Sequence, residues 1–283
     1  MKANETITNT IIESLEKGVI PWKKPWNVDS EPKNLISDKT YSGINYFLLS
    51  MQSYTSNYYL TYKQSVALGG NVIKGQKGTK IIYCSKVSKV DKITKEKDSF
   101  TFLKQYTVFN VEQCENLNHK LIDAERIKEN QNEDFCSIEN AENIINNFKT
   151  KPIINHAESR AYYRPVSDDI NMPKKSEFVN SEEYYSTLFH ELTHSTGHKS
   201  RLNREEVSKG RIMFGSSDYS KEELVAELGS AFLCAHAGID NTLENSTAYI
   251  QSWLKVLKSK DNSTLLTSAA SKAQKAFDYI ISN

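Results

Sequence analysis

The sequence predicts an α+β protein of two domains: an N-terminal α/β domain with an antiparallel sheet, then a C-terminal domain organised around a metal-binding helix. Three observations carry this. Strand-like alternation flanks a mixed-charge turn in the first half, a His-Glu-x-x-His helix dominates the second, and a polar, acidic stretch lies between them. A length of 283 residues suits two modest cores better than one large one.

Composition narrows the function classes. The 36 basic and 35 acidic residues give a net charge of +1, so any affinity for nucleic acid must come from a local patch. Cys84, Cys114, Cys136 and Cys234 form no paired-ligand motif, and no secretory segment is read at the start. Free thiols in a reducing cytoplasm are therefore expected. Apolar runs are too short to span a membrane, so no membrane partner is expected.

Ile7, Ile11, Ile12 and Leu15 recur at helical spacing and predict a helix over residues 5–20, stopped near Gly18. Ile20-Pro-Trp-Lys-Lys-Pro-Trp26 follows. Its rings and cations make either an exposed stacking platform or a clamp onto the core, and both readings stand. Tyr41-Ser-Gly-Ile-Asn45 reads as a tight turn into a short helix with Tyr46, Phe47 and Leu48. Tyr58–Tyr62 reads as a strand, and Gln64–Leu68 as the start of a helix ended by Gly69-Gly70. A glycine and lysine turn around Lys74-Gly-Gln-Lys-Gly-Thr79 enters a strand. Residues 91–98 form a charged turn, and Phe100–Val111 forms the returning strand.

Charge is most informative here. From Lys39 to Val90 there are seven lysines, no acidic residue and eight interleaved aromatics. Cations along a phosphate backbone and rings against bases are what single-stranded nucleic acid requires; lysines on a solvated face over core aromatics would give the same composition. Trp22, Lys23, Lys24, Trp26, Tyr41, Asn45, Tyr62, Lys63, Lys74, Lys77 and Lys80 are the candidate contacts.

The first domain is taken as residues 1–118 and the linker as 119–136, where the chain is acidic and asparagine-rich. The second domain, 137–283, opens with a helix from Ser137 to Phe148. Short strands are expected at 152–156 and 161–165, and a hairpin over Asp168–Pro173 leading through Phe178 into the metal helix. Helices over 245–257 and 263–281 should pack behind, with His236 a packed or surface residue.

In the metal helix, capped by Ser181, His190 and His194 are four apart and so project from one face with Glu191 beside them. Divalent metal ligation beside a water-activating base needs this spacing, and the same five residues also occur by chance on amphipathic helices. A third ligand is required. His198 would reach back only if the helix breaks at Gly197. The next helix, read as capped by Ser220, offers Glu223 as ligand and Glu227 as outer partner of a ligand histidine, with Ala226, Gly229 and Ala231 allowing close packing. Tyr219, His198 and Tyr163 are candidate donors to an oxyanion or residues of the rim. Zn²⁺ is the expected metal, and the same ligands accept Mn²⁺ or Co²⁺.

These residues together resemble the ArdC-type antirestriction proteins of conjugative plasmids and other mobile elements. In the first half the resemblance rests on Ile20–Trp26, Tyr41–Asn45, Gly75-Gln-Lys-Gly78 and Tyr106-Thr-Val-Phe-Asn110. In the second it rests on Ala161–Asp168, Ile170-Asn-Met-Pro173, His190–His198 and Glu222–Gly229. It implies an N-terminal single-stranded DNA-binding domain, a C-terminal zincin-like metallopeptidase domain, and protection of incoming DNA from restriction. The second glutamate helix is also similar to the Glu-x-x-Ala-Asp arrangement of zinc peptidases, which implies Glu223 as ligand and puts Glu227 where the aspartate would be. Two alternatives stay open: a DNA-recruited metalloprotease acting on an unidentified protein substrate, and a non-enzymatic coating protein with a structural or vestigial metal site.

Overall fold

A computed structural model describes residues 3–20, 31–52, 54–90, 97–118, 137–208, 217–239, 247–259 and 264–282; within these, side chains at 84–90, 97–102, 137, 217–219 and 247–249 are not described. The expected linker, residues 91–96 of the charged turn and residues 21–26 of the tryptophan segment lie outside the described residues, while Lys97 and Asp98, expected in that turn, pair as strand with Val90 and Lys89.

The stripe Ile7, Ile11 and Leu15 forms the buried face of α1 (Ala3–Glu16). The helix ends before residue 20 because Gly18, at φ +80°, turns the chain so that its N–H reaches Leu15 O at 2.9 Å and Val19 N–H reaches Ser14 O. β1 (Lys33–Asn34) precedes α2 (Ile44–Ser50), and β2 (Tyr58–Thr61) runs directly into α3 (Tyr62–Ala67). Thr61 makes that switch: its hydroxyl accepts from Gln64 N–H while the Gln64 side chain returns to Thr61 N–H, a capping box. β3 (Asn71–Val72) pairs with β6 (Cys114–Glu115). The long hairpin of β4 (Thr79–Val90) and β5 (Lys97–Asn110) completes a sheet of order β1-β2-β5-β4, antiparallel except for β1 with β2.

The second half begins with α4 (Ser137–Asn147). A three-stranded sheet follows, β7 (Ile153–Asn155), β8 (Tyr162–Arg164) and β9 (Asp169–Asn171), in order β7-β9-β8. The hairpin is β8–β9, one strand earlier than expected, because Asp168 at φ +51° takes the left-handed turn position. Buried Asp169 knits the three strands, accepting from Arg164 of β8, Ser167 of the turn and Asn155 of β7. The Arg164 guanidinium, then the Ser167 hydroxyl, hold its carboxyl down at about 2. A depressed carboxyl stabilises the fold only while ionised, so Asp169→Asn should lower the melting temperature at neutral pH. That deficit should shrink as pH falls from 3.8 towards about 2. A deficit constant over that interval would show that the charge is not what ties the strands.

Among the described residues, four α-helices follow the sheet before the C-terminal one: the metal helix α5 (Ser181–Ser195), the short α6 (Glu205–Ser208), α7 (Ser217–Ala237) and α8 (Thr247–Leu257). α9 (Leu265–Ser282) closes the described chain. Asn180, not Ser181, caps α5, its carboxamide oxygen accepting from Glu183 N–H at 2.8 Å. α7 begins at Ser217, so Ser220 lies inside it rather than at its cap. α7 is buried on nearly every face from Glu222 to Ala235, the mark of a central helix. Leu224, Val225, Leu228, Ala231 and Phe232 join a core with Ile7 and Ile11 of α1, Phe47 of α2 and Ala269 of α9. Leu233 and Cys234 join a second core with Phe189 of α5 and Phe148. The two halves of the sequence thus share one packed core through α7, and Gly43 N–H donates to Gln274 of α9 across it. Burial pushes the Cys234 thiol up to about 12, leaving it inert. His236 packs edge-on to Phe277. No helix among the described residues is long and apolar enough to cross a membrane.

Candidate metal centre and nucleic-acid face

Helical spacing in α5 stacks His190 over His194, and the two Nε2 atoms lie 3.1 Å apart. α7 crosses α5 closely because residue 229 has no side chain; a Cβ there would stand 2.4 Å from Thr193 Cγ2. This crossing brings the Glu223 oxygens to 3.6 Å from His190 Nε2 and 3.5 Å from His194 Nε2. All three potential ligand atoms fall within 4.8 Å of one another. Two imidazole nitrogens and a carboxylate converging on one point repel as lone pairs unless a proton or a cation lies between them. Such a two-histidine, one-glutamate donor set suits a divalent ion.

Protonation reflects this crowding. Burial disfavours a charged His194, yet hydrogen bonds to Glu222 and Glu223, with the charge of Glu191, push it up to about 10. The same balance raises His190, whose burial is outweighed by Glu223. Glu223 itself is held well below the usual carboxylate range, its burial overcome by the two histidines.

The carboxylate on the far side of His194 is Glu222, which the sequence reading did not select. Its Oε1 lies 3.2 Å from His194 Nδ1, so Nδ1 donates to this carboxylate and Nε2 faces the convergence point. Glu222 is 2% exposed. Glu227, expected in that role, raises His190 by its charge but makes no hydrogen bond to either histidine among the described contacts. Glu191 is 7% exposed and lines a cleft of about 460 Å³ with His190, His194, Glu223, Tyr162, Tyr163, Pro165 and Val207.

The three oxyanion or rim candidates fare differently. Tyr163 lines the cleft, but its hydroxyl donates to Asp168 Oδ1 at 2.8 Å and accepts from Arg201 at 3.3 Å, so its proton is already committed. His198 lies beyond the break at Gly197. Its Nδ1 accepts from Ser200 N–H and sits 3.8 Å from Asp168, outside the cleft lining. The Tyr219 side chain lies outside the described residues, as do Trp22, Lys23, Lys24 and Trp26.

Of the remaining nucleic-acid candidates, Tyr62, Lys63, Lys74, Lys77 and Lys80 are exposed. Tyr41 and Asn45 are half-buried and bonded within the fold. The Tyr41 hydroxyl accepts from Asn34 and its ring meets Tyr59 edge-on, while the Asn45 carboxamide bonds both the N–H and the C=O of Ile82, pinning α2 to β4. The hairpin instead offers a pair that was not selected. Tyr83 and Tyr106 are 58% and 43% exposed, with centroids 6.3 Å apart, and the register places Lys104 opposite Tyr83 on the same face.

Comparison with known proteins follows the same division. Residues 1–109 match the N-terminal domain of anti-restriction factor ArdC, and residues 139–272 match a zincin-like metallopeptidase domain. The metal-free crystal structure of the antirestriction ArdC protein from the R388 plasmid shares 36% identity with this chain. The match covers 98% of this chain and 96% of that one, with a TM-score of 0.74.

The chain belongs to the ArdC antirestriction family.

The Mn(II)-bound structure of that same ArdC protein matches with a TM-score of 0.75 at 34% identity, over 99% of this chain and 97% of the other. The uncharacterized protein y4eC of Sinorhizobium fredii is 33% identical over 98% of this chain and 90% of its own length. Two DNA primase TraC proteins of Escherichia coli are 33% and 34% identical over 98% of this chain, which spans only 20% and 27% of their lengths. This ArdC-family chain therefore corresponds to nearly all of the plasmid protein and to a segment of the primases.

Proposed function

We propose that this protein binds single-stranded DNA of a mobile element in the cytoplasm through its N-terminal half, shields it from restriction, and carries a zinc-dependent peptidase site in its C-terminal half. The convergence of His190, His194 and Glu223 beside Glu191 in an open cleft carries the enzymatic part of this reading. A structural metal site needs four closed ligands and no base; here three potential ligands line an open cleft. A bound zinc would supply Lewis acidity, polarising a carbonyl and acidifying water. His190 and His194 would hold it through Nε2, giving up any proton there as it binds, and the Glu223 carboxylate would balance its charge. Glu191 takes a proton from the attacking water and returns it to the departing amine nitrogen. Val207, Pro165 and the tyrosine rings exclude bulk water from one wall of the cleft. The Mn(II)-bound relative supports a divalent ion, and metal analysis of the purified protein would identify which.

The exposed tyrosine pair and the surrounding lysines support the DNA-binding part. Replacing Tyr83 and Tyr106 with alanine should weaken binding of an oligo-dT strand by about 1–3 kcal/mol for each stacked base, measured by fluorescence anisotropy. Affinity should also fall linearly on a log–log plot against salt if the lysines meet phosphates. A folded double variant with wild-type affinity, or a flat salt dependence, would remove this face from the reading.

A further inference from the structure

Arg204 belongs to no motif and lines no part of the cleft, yet it is 7% exposed. A guanidinium stays charged in any protein setting, so its burial requires that its donors be used. They are. Nε donates to Glu222 Oε2 at 3.0 Å and Nη2 to Glu222 Oε1, a two-toothed grip on one carboxylate. Nη1 donates to Thr196 Oγ1 at 2.6 Å, and Nη2 also reaches Thr193 O at 2.8 Å and His194 O at 3.4 Å, carbonyls of the last turn of the metal helix.

The chain is shaped to bring this residue back. After α5 ends, Leu202 N–H bonds Thr196 O and Arg204 N–H bonds Gly197 O, with Asn203 in the left-handed region at φ +48°. A Cβ on Gly197 would lie 2.5 Å from Val207 Cγ2 and 3.1 Å from Arg204 Nη2, so the glycine lets Val207 close over the turn with the guanidinium packed tightly beside it. Arg204 therefore holds both supports of His194: the carboxylate that bonds its Nδ1, and the helical turn that carries its backbone.

We propose that Arg204 is a positioning residue of the metal centre, fixing Glu222 against His194 Nδ1 and clamping the final turn of α5 so that His194 Nε2 is aimed at the ion. This rests on the metal-site reading above, and the test separates the two. In the full-length protein, Zn²⁺ affinity is measured by chelator competition and the Co²⁺ visible spectrum is recorded, with oligo-dT binding and thermal melting as controls. Arg204→Gln should weaken Zn²⁺ binding about 10–100-fold and alter the Co²⁺ bands, while DNA affinity stays at the wild-type level. If Arg204→Gln does not fold, Arg204→Lys keeps a cation beside Glu222 but not the two-toothed grip, and should show a loss of metal affinity in the same direction. Wild-type affinity and spectrum in a folded Arg204 variant, with affinity still lost in His194→Ala, would overturn the positioning role and leave the metal site standing. A His194→Ala protein that binds Zn²⁺ as tightly as wild type would overturn the metal-site reading, and this inference with it.

Discussion

Glu191→Gln should reduce hydrolysis of an unfolded protein substrate by about 10²–10⁴-fold, while Zn²⁺ affinity and single-strand binding stay at wild-type levels. The substitution is isosteric, and Glu191 is not among the three converging ligand residues. What it removes is the carboxylate that can accept and return a proton beside the reacting water. A chelator-sensitive turnover that persists in the glutamine variant would exclude Glu191 as the base. The same variant tests physiology: if it still protects incoming DNA from restriction, proteolysis is not required for protection, and the DNA-binding role stands alone.

The second large effect is expected at Gly229. An added Cβ would meet Thr193 Cγ2 at 2.4 Å, Oγ1 at 2.8 Å and Cβ at 3.2 Å. Thr193 has little freedom to move, because it is fully buried and its hydroxyl donates to Phe189 O at 2.8 Å. Alanine is favoured over glycine by about 1 kcal/mol in a helix interior. Overpacking costs about 1–3 kcal/mol, and contacts this short belong at the upper end. Gly229→Ala should therefore be net destabilising in urea unfolding, and it should weaken Zn²⁺ binding because α5 and α7 must part where Glu223 meets the histidines. Thr193→Ala removes the two closest atoms, so the double variant should recover most of the loss. Additive losses in that cycle would show that the helix crossing is not what Gly229 provides.

The clearest sequence signals were the local ones. His190, Glu191 and His194 lie within one helical turn and a half, so 3.6-residue periodicity alone puts them on adjacent faces. The stripe of Ile7, Ile11 and Leu15 and the alternation around the charged turn are local patterns too, and they suffice for an α+β fold. Caps were less legible. Asn180 and Ser181 are both good caps, and only backbone geometry chooses between them.

Other features depend on distant parts of the chain. Tyr41, Asn45, Tyr83 and Tyr106 look alike in a lysine-rich sequence, yet two hold the fold and two face solvent. The sequence also suggested two separately cored halves around a polar stretch. The apolar faces of α1 and α2 instead find their partner in α7, whose apolar residues join both cores.

By itself, then, the sequence determined the fold class, the family and the local metal motif, because each is written in short-range spacing. Only the tertiary structure decided that Glu222 orients His194, that Arg204 holds Glu222, and which tyrosines reach solvent. A glutamate beside another on a helix reads as a solvated face until a second helix covers it, and a lone arginine in a turn reads as surface until the chain folds back over it. Those contacts join residues 18 and 28 positions apart, and no periodicity encodes them.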